Sequence, residues 1–411
     1  MTLLINADRF KQDFDQLAQI GSTGDGGVNR PALSAAHLEA RAWFSAKTAS
    51  AGLRTQTDSA GNVSAILQSP ISNPQSLLLG SHTDSVPNGG RFDGALGVVA
   101  ALEVLRTIKE SGVQLKVNLE AIDFTDEEGT LVGLLESSAL VGGITPESLG
   151  NPRGGRSNLE AGLARAHLTE SGILNAKRDP NSIAGYLELH IEQGPRLTQS
   201  AIKIGVVAGI VGITSHRMKY IGAANHAGTT PMETRSDAGL GASAFTLTAR
   251  EMVMRDFPNC VVNVGQMNFK PGAFNIIPGV AEFSLEFRSP ESKQLKQLEA
   301  SLLGLAEVIA RQFRLKLEYE HAGGCVAAPM SPRAQAAITA AADSLALTHT
   351  SLHSGAGHDA QSLAPITDAG MIFIPSRDGI SHSPLEFSEW SDCENGANVL
   401  LNAAVNMAEN G

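Results

Sequence analysis

Leu77-Leu78-Leu79-Gly80-Ser81-His82-Thr83-Asp84, read together with Gly94 to Glu110 and Lys116 to Phe124, decides the fold class. The first is a short apolar run that ends in polar residues. The second carries apolar residues at helical spacing, and the third alternates around Val117, Leu119, Ala121 and Ile122. Strand, helix and strand in succession predict an α/β layer architecture. Toward the N-terminus, Ser34 to Gly52 reads as a helix stopped by a glycine, and Asn62 to Gln68 as a strand. Toward the C-terminus, Asn151 to Asn181 is polar, with Gly and Pro at both ends and one weak helix between; Tyr186 to Ile191 returns to strand.

A different rhythm begins near Gly209. Ile213 to Ile221, Val261 to Met267 and Ala281 to Phe287 read as strands, Asp237 to Arg255 and Ser292 to Arg311 as helices. In the latter Leu295, Leu298, Leu302, Leu305 and Ile309 form one apolar stripe. From Leu315 the chain reads strand, helix (Pro332 to Leu347) and strand (Gly370 to Ile374). The simplest account is an α+β domain at 209–324 inserted into a domain formed by 1–208 and 325–411.

Composition narrows the function classes. Of 411 residues, 31 are Lys or Arg and 42 Asp or Glu, a net charge of −11 that excludes a nucleic-acid binder relying on bulk positive charge. Cys260, Cys325 and Cys393 are too few and too scattered for a disulfide framework or a zinc ribbon and suit a reducing compartment. Met1 to Phe10 is too short in apolar residues for a signal peptide, and no stretch approaches the roughly 18 apolar residues of a membrane span. The expectation is a cytoplasmic enzyme.

Chemistry concentrates in four places. His82 ends an apolar strand, where open α/β sheets bind ligands, and Asp84 is positioned to steady its imidazole. Asp93 sits in the glycine-flanked turn Gly89-Gly90-Arg91-Phe92-Asp93-Gly94. Asp126-Glu127-Glu128-Gly129 follows a strand, and three successive carboxylates there require either full solvation or a compensating cation. Neighbouring side chains in extended backbone point opposite ways, so Glu127 and Glu128 suit different tasks, one as ligand and one as proton carrier. Glu188, His190 and Glu192 alternate with Leu187, Leu189 and Ile191, and His382 lies in a loop after a final strand. Taken singly, each has an ordinary reading as a strand end or an acidic turn. Together, imidazoles and carboxylates without thiolates suit two divalent ions.

The ordered motifs Gly80-Ser81-His82-Thr83-Asp84, Gly89-Gly90-Arg91-Phe92-Asp93-Gly94, Phe124-Thr125-Asp126-Glu127-Glu128-Gly129, Glu188-Leu189-His190-Ile191-Glu192-Gln193-Gly194, Asn225-His226-Ala227-Gly228-Thr229-Thr230-Pro231-Met232, Ser354-Gly355-Ala356-Gly357-His358-Asp359-Ala360 and Ser381-His382-Ser383-Pro384 resemble the hydantoinase/carbamoylase branch of the M20 metallopeptidase family. That branch comprises N-carbamoyl-L-amino acid hydrolases, allantoate amidohydrolases and bacterial-type β-ureidopropionases. The resemblance implies a mixed-sheet α/β metallohydrolase domain, phosphorylase/hydrolase-like, with an inserted ferredoxin-like dimerisation and lid domain. It implies two divalent ions per subunit, zinc or manganese with cobalt or nickel as alternatives. His82 and His190 match ligands of opposite metals, Asp93 the bridging carboxylate, and Glu128 and His382 the remaining ligands. Glu127 matches the general base. His226 matches an oxyanion stabiliser delivered from a partner subunit in a homodimer, Asn275 and Arg288 the grip on a substrate carboxylate, and Gln193 and the Gly357 backbone further substrate contacts. His190 stands where peptidase and aminoacylase branches place a carboxylate, which favours ureido substrates.

Many relatives continue the Glu-Glu-Gly segment with Ser-Arg-Phe and later Gly-Ser-Arg-Ala. This chain has Thr130-Leu131-Val132 and Glu136-Ser137-Ser138-Ala139, so two arginines are absent and the expected pocket wall is less positive. The leading expectation is therefore hydrolysis of N-carbamoyl-L-amino acids carrying a neutral side chain. The alternatives are allantoate or carbamoyl-β-alanine as substrate, an aminoacylase or dipeptidase on the same scaffold, and a noncatalytic binding protein. The last is disfavoured because every ligand position and the base position are filled.

Overall fold

The computed structural model describes residues 2–72 and 74–409. The chain divides into two compact units, one formed by residues up to 208 together with those from 329 onward, the other by 209–328. The inserted unit ends four residues beyond the expected 324. Its last long strand, Lys316–Cys325, stays paired with Gly212–Ile221 as far as Cys325 opposite Ile213.

In the larger unit a mixed sheet runs Arg54–Thr57, Val63–Leu67, Asn118–Phe124, Ser76–His82, Ile183–Ile191, Ala369–Ile374, Ile204–Ile210. The four strands from Asn118–Phe124 to Ala369–Ile374 are mutually parallel, and antiparallel strands flank them. Parallel strands need long crossovers and are covered on both faces. The burial agrees, since Ser76–His82 is buried throughout and Ile183–Ile191 almost so. One core cluster joins Leu77 and Leu79, Leu187, Leu189 and Ile191, and Ile372 and Ile374 to the helices Ala7–Leu17, Ala95–Ser111, Pro332–Ser344 and Trp390–Glu409. Alternation along the strand then turns Glu188 and His190 to the other face. The short helix Asp359–Leu363 packs against that face, where Ala360 N donates to Glu188 Oε2 at 3.0 Å.

Two expectations change here. The weak helix between 151 and 181 is two helices, Arg156–Ala166 and Glu170–Leu174, each begun afresh, the second at the cap Thr169. The apolar run Leu77–Leu79 belongs to a longer strand, because Gly80, Ser81 and His82 keep their register against Ile122, Asp123 and Phe124.

The inserted unit runs strand, helix, three strands, helix, strand. All its strands are antiparallel, in the order Lys316–Cys325, Gly212–Ile221, Val280–Ser289, Val261–Asn263, which is the ferredoxin-like arrangement. The expected strand Val261 to Met267 is broken. Val261–Asn263 and Met267–Lys270 pair separately with Val280–Ser289. Helices Ala238–Asp256 and Ser292–Gln312 cover one face, burying Phe245, Leu298 and Leu302 against Tyr220, Phe283, Leu285 and Phe287.

Candidate metal centre

Parallel strands end on one edge, so their carboxyl ends bring residues distant in sequence to a single place. His82 closes the strand Ser76–His82, Asp126 to Glu128 follow Asn118–Phe124, His190 lies at the end of Ile183–Ile191, and the loop after Ala369–Ile374 carries His382. Asp93 enters from the turn before the helix Ala95–Ser111, whose N-terminal dipole favours a carboxylate there. Gly94 joins the two with φ at +63°. A Cβ on it would lie 2.4 Å from the His82 ring, so only glycine fits.

Two donor groups share Asp93, and a third is formed by Glu188, His190 and His358. His82, Asp93 and His190 are buried and present ligand atoms within 4.8 Å of one another, and so do Asp93, Glu128 and His382. Asp93 is common to both. Its Oδ1 lies 3.1 Å from His190 Nε2 and 3.6 Å from His82 Nε2, and its Oδ2 lies 3.6 Å from His382 Nε2. Glu128 Oε2 stands 3.2 Å from His382 Nε2. The expectation that His82 and His190 serve opposite metals is corrected. Their strands are neighbours in the sheet, which puts both imidazoles in the same group.

The imidazoles are set for coordination by their other nitrogens. A carbonyl can only accept, so His82 Nδ1 donates to Asp84 O at 3.1 Å and His190 Nδ1 to Ile191 O at 2.9 Å. Each Nε2 faces Asp93; that of His82 is buried without a hydrogen-bond partner, whereas that of His190 lies 3.1 Å from Asp93 Oδ1 and 3.3 Å from Gly94 N. Burial lowers the His82 pKa to about 4, keeping the ring neutral. Burial acts the same way on His190, but the charge and hydrogen bond of Asp93 outweigh it and raise the pKa to about 9. Asp84 holds the imidazole through its backbone, not its carboxylate as expected. That carboxylate instead accepts Asp126 N at 2.9 Å and Glu128 N at 3.4 Å, fixing the acidic loop.

The three successive carboxylates separate in just this loop. Asp126, at φ +63°, turns back to accept Leu131, Val132 and Gly133 N–H at 2.7, 2.6 and 2.8 Å. Glu127 and Glu128 face the donor groups, with Glu127 Oε2 3.5 Å from His82 Nε2. Burial first and neighbouring carboxylates second push both well above the ordinary glutamate range. So many buried acids in one place call for a cation. With an unpartnered imidazole nitrogen and a carboxylate shared between two groups, the residues fit a pair of divalent ions.

Gln193 comes to the same edge, at φ +55°. Its Nε2 donates to Asp93 Oδ2 at 2.7 Å, while its Oε1 is buried without a partner. Gly357 lies in the turn before the helix Asp359–Leu363, and the ring of the next residue, His358, packs 4.5 Å edge-on to His190. His358 Nε2 engages Ser354 Oγ at 2.8 Å, and Glu188 accepts from Ser81 Oγ and Ala360 N. The wall expected to lack arginine receives one from elsewhere. Arg153 lies over Gly129 and Gly133, so a Cβ on Gly129 would meet its Nη1 at 2.9 Å. Glu136 is not free either; it is buried and paired with Arg41 at 3.2 Å.

Within the inserted unit His226 and Asn275 lie together, since Ala227 N donates to Asn275 O at 3.0 Å and Ile277 N to Asn225 O at 2.8 Å. His226 Nδ1 accepts Gly228 N at 3.1 Å and Thr229 N at 3.2 Å, which puts the ring proton on Nε2, an exposed donor. Arg288 stands on the strand Val280–Ser289, where Nη2 meets Glu286 Oε1 at 2.8 Å.

Sequence reasoning missed Glu386. It is buried, accepts Phe92 N at 2.9 Å and Asp93 N at 3.1 Å, and meets Ser381 Oγ at 2.8 Å. Burial and then Asp93 raise it to about 7. The signal was its place in the His382 loop, four residues on.

Comparison with known proteins agrees with this geometry. Residues 78–406 match the model of peptidase family M20/M25/M40. The chain is 36% identical to an N-carbamoyl-L-amino acid amidohydrolase of Geobacillus stearothermophilus over 99% of its length and 100% of that protein. It is 32% identical to an allantoate amidohydrolase of Bacillus subtilis, covering 95% of each. A solved amidase of the hydantoinase/carbamoylase family from Burkholderia multivorans superposes with a TM-score of 0.91 at 32% identity, over 99% of this chain and 98% of the other. The chain belongs to the M20 peptidase family, in its hydantoinase/carbamoylase branch.

Proposed function

We propose that this protein is a binuclear-metal amidohydrolase that cleaves the ureido C–N bond of N-carbamoyl-L-amino acids, giving the amino acid, ammonia and carbon dioxide. The observation that carries the reading is Gln193. Asp93 needs a donor, so the Gln193 amide nitrogen faces it and the buried Oε1 is left as an acceptor. The terminal NH2 of a carbamoyl group satisfies that oxygen, and the methyl of an acetyl group leaves it bare. A site built for a hydrogen bond discriminates strongly against a substrate lacking it. Full-length similarity to several N-carbamoyl-L-amino acid amidohydrolases supports the same choice.

His82, Asp93 and His190 would hold one ion and Asp93, Glu128 and His382 the other. Zinc or manganese suits these donors best, with cobalt and nickel next. Such a pair, when bound, polarises the scissile carbonyl and makes water a nucleophile near neutral pH. Glu127 takes the proton of the attacking water and passes it to the departing nitrogen, which leaves as ammonia. The resulting carbamate loses carbon dioxide, so one water is consumed in all. The exposed Nε2–H of His226 would steady the oxyanion, while Asn275, Arg288 and the Gly357 backbone hold the rest of the substrate. Arg288 suits a carboxylate because a planar guanidinium binds it bidentately. Allantoate is the second reading. Arg153 beside Gly129 favours it, since it supplies positive charge for a second anionic group.

The enzyme would work in the cytoplasm as a homodimer joined through the inserted unit. Among the described residues, no helix is long and apolar enough to cross a membrane. The helix Ala238–Asp256 exposes Leu240, Leu247 and Met254 at seven-residue spacing, an apolar stripe suited to a second copy.

Ammonia release from metal-loaded protein tests the reaction across N-carbamoyl-L-amino acids, allantoate, carbamoyl-β-alanine and N-acetyl amino acids. Carbamoyl amino acids should turn over fastest, and faster release of acetate than of ammonia would overturn the reading. Glu127→Gln should retain its ions and lose about 10²- to 10⁴-fold in kcat, the usual worth of a positioned acid–base group.

A further inference from the structure

Two of the loops that carry donor residues, the turn of Asp93 and the loop of His382, come from opposite ends of the chain and meet around a buried carboxyl, that of Glu386. Glu386 Oε1 accepts Phe92 N at 2.9 Å and Asp93 N at 3.1 Å, and Oε2 lies 2.8 Å from Ser381 Oγ. Ser381 in turn donates to Asp93 Oδ2 at 2.9 Å. The strap thus closes a ring from the backbone of Asp93 through Glu386 and Ser381 to the carboxylate of the same Asp93. Room for it is made on the facing strand of chain, where a Cβ on Gly90 would fall 2.0 Å from Glu386 Cδ. This accounts for the second glycine of Gly89-Gly90-Arg91-Phe92-Asp93. His382, one residue beyond Ser381, sits at φ +54° with its side chain 53% exposed, so its own packing does little to hold it.

We propose that Glu386 is a positioning residue for the donor group of Asp93, Glu128 and His382, fixing the Asp93 turn against the His382 loop so that the three can share one ion. The inference rests on the two-ion reading above. Groups that orient metal ligands are worth about 10- to 100-fold in metal affinity. The strap needs an acceptor toward two backbone N–H groups and a partner for one hydroxyl. The Ser381 hydroxyl has one hydrogen for two acid neighbours, and a glutamine at 386 would offer both an acceptor and a hydrogen.

The test measures zinc stoichiometry and affinity by competition with a chromophoric chelator in wild type, Glu386→Ala, Glu386→Gln and Ser381→Ala, with circular dichroism of each metal-free protein as the check on folding. Wild type should bind two ions. Glu386→Ala should bind one tightly and the second at least tenfold more weakly, Glu386→Gln should keep both within about threefold, and Ser381→Ala should weaken the second ion less than Glu386→Ala does. Two ions held at wild-type affinity by folded Glu386→Ala would overturn the proposal, as would equal loss in Glu386→Gln and Glu386→Ala. If Glu386→Ala does not fold, Ser381→Ala decides, and unchanged affinity of its second ion overturns the proposal. Fewer than two ions in wild type would instead sink the two-ion reading itself.

Discussion

Gln193 shows what one side chain adds to a metal centre. Without it the donor groups describe any hydrolase of the scaffold; with it the site has an unfilled acceptor beside the carboxylate shared by both groups. Gln193→Leu keeps the volume and removes the acceptor. It should lower kcat/KM for an N-carbamoyl amino acid by about tenfold to a hundredfold, the cost of one lost buried hydrogen bond. For the N-acetyl analogue the loss should be smaller, only what the removed Nε2 contact to Asp93 costs, and the ratio of the two constants is the measurement. Equal losses on both substrates would mean that the residue serves only to hold Asp93. At this scale the sequence was informative wherever a residue type fits only one chemistry. His82, Asp93, Glu128, His190 and His382 were readable as candidate donors from the motifs they sit in, and the fold brings them within reach of one another. Their grouping was not readable, since it depends on which strands are neighbours. Asp84 and Asp126 looked like further acids of the site, yet their carboxylates are spent on backbone N–H groups that no spacing rule reveals.

Among the elements, the helix Trp390–Glu409 carries the clearest lesson, because nothing in the sequence reading anticipated it. Its interior contains Gly396 and four asparagines, Asn395, Asn398, Asn402 and Asn406, all poor helix formers. Tertiary contacts offset the preference at Asn398, Asn402 and Gly396. Asn398 accepts Ile5 N at 2.9 Å, and Asn402 accepts Leu3 N at 3.1 Å and donates to Leu3 O at 2.9 Å, tying down the N-terminal segment. Gly396 lets the helix lie directly on the sheet, since a Cβ there would fall 2.6 Å from Ile374 Cγ2 and 2.7 Å from Leu189 Cδ1. Gly396→Ala gains about 0.5–1 kcal/mol of helix propensity and meets an overpacking cost of roughly 1–3 kcal/mol. The expected net effect is a lower melting temperature despite the better helix former, read by thermal denaturation. A melting temperature above wild type would show that the sheet can yield. The helices Ser34–Gly52, Asp237–Arg255 and Ser292–Arg311 were legible to within a residue or two because their caps and apolar stripes agree with their burial. Local and tertiary preferences coincide in those three and diverge at Gly396.

For the whole molecule, the question is what the inserted unit adds to the larger one. The donor groups and Glu127 all belong to the larger unit, whereas the Nε2–H donor of His226 belongs to the inserted one. If two copies join through the stripe of Leu240, Leu247 and Met254, each chain can lend its His226 to the other's reaction. Mixing two inactive variants separates this from service within one chain. Glu127→Gln lacks the proton carrier and keeps the donor; His226→Ala lacks the donor and keeps the carrier. In a mixed dimer with exchanged histidines, one site carries both defects and the other carries neither. Random reassociation makes half the dimers mixed, so activity should recover to about a quarter of wild type after the two are denatured and refolded together. Each variant refolded alone should stay inactive. If His226 acts on its own chain, every site in every mixture retains one defect and no activity returns, which makes ammonia release from the refolded mixture a direct reading of which chain the proposed His226 donor serves.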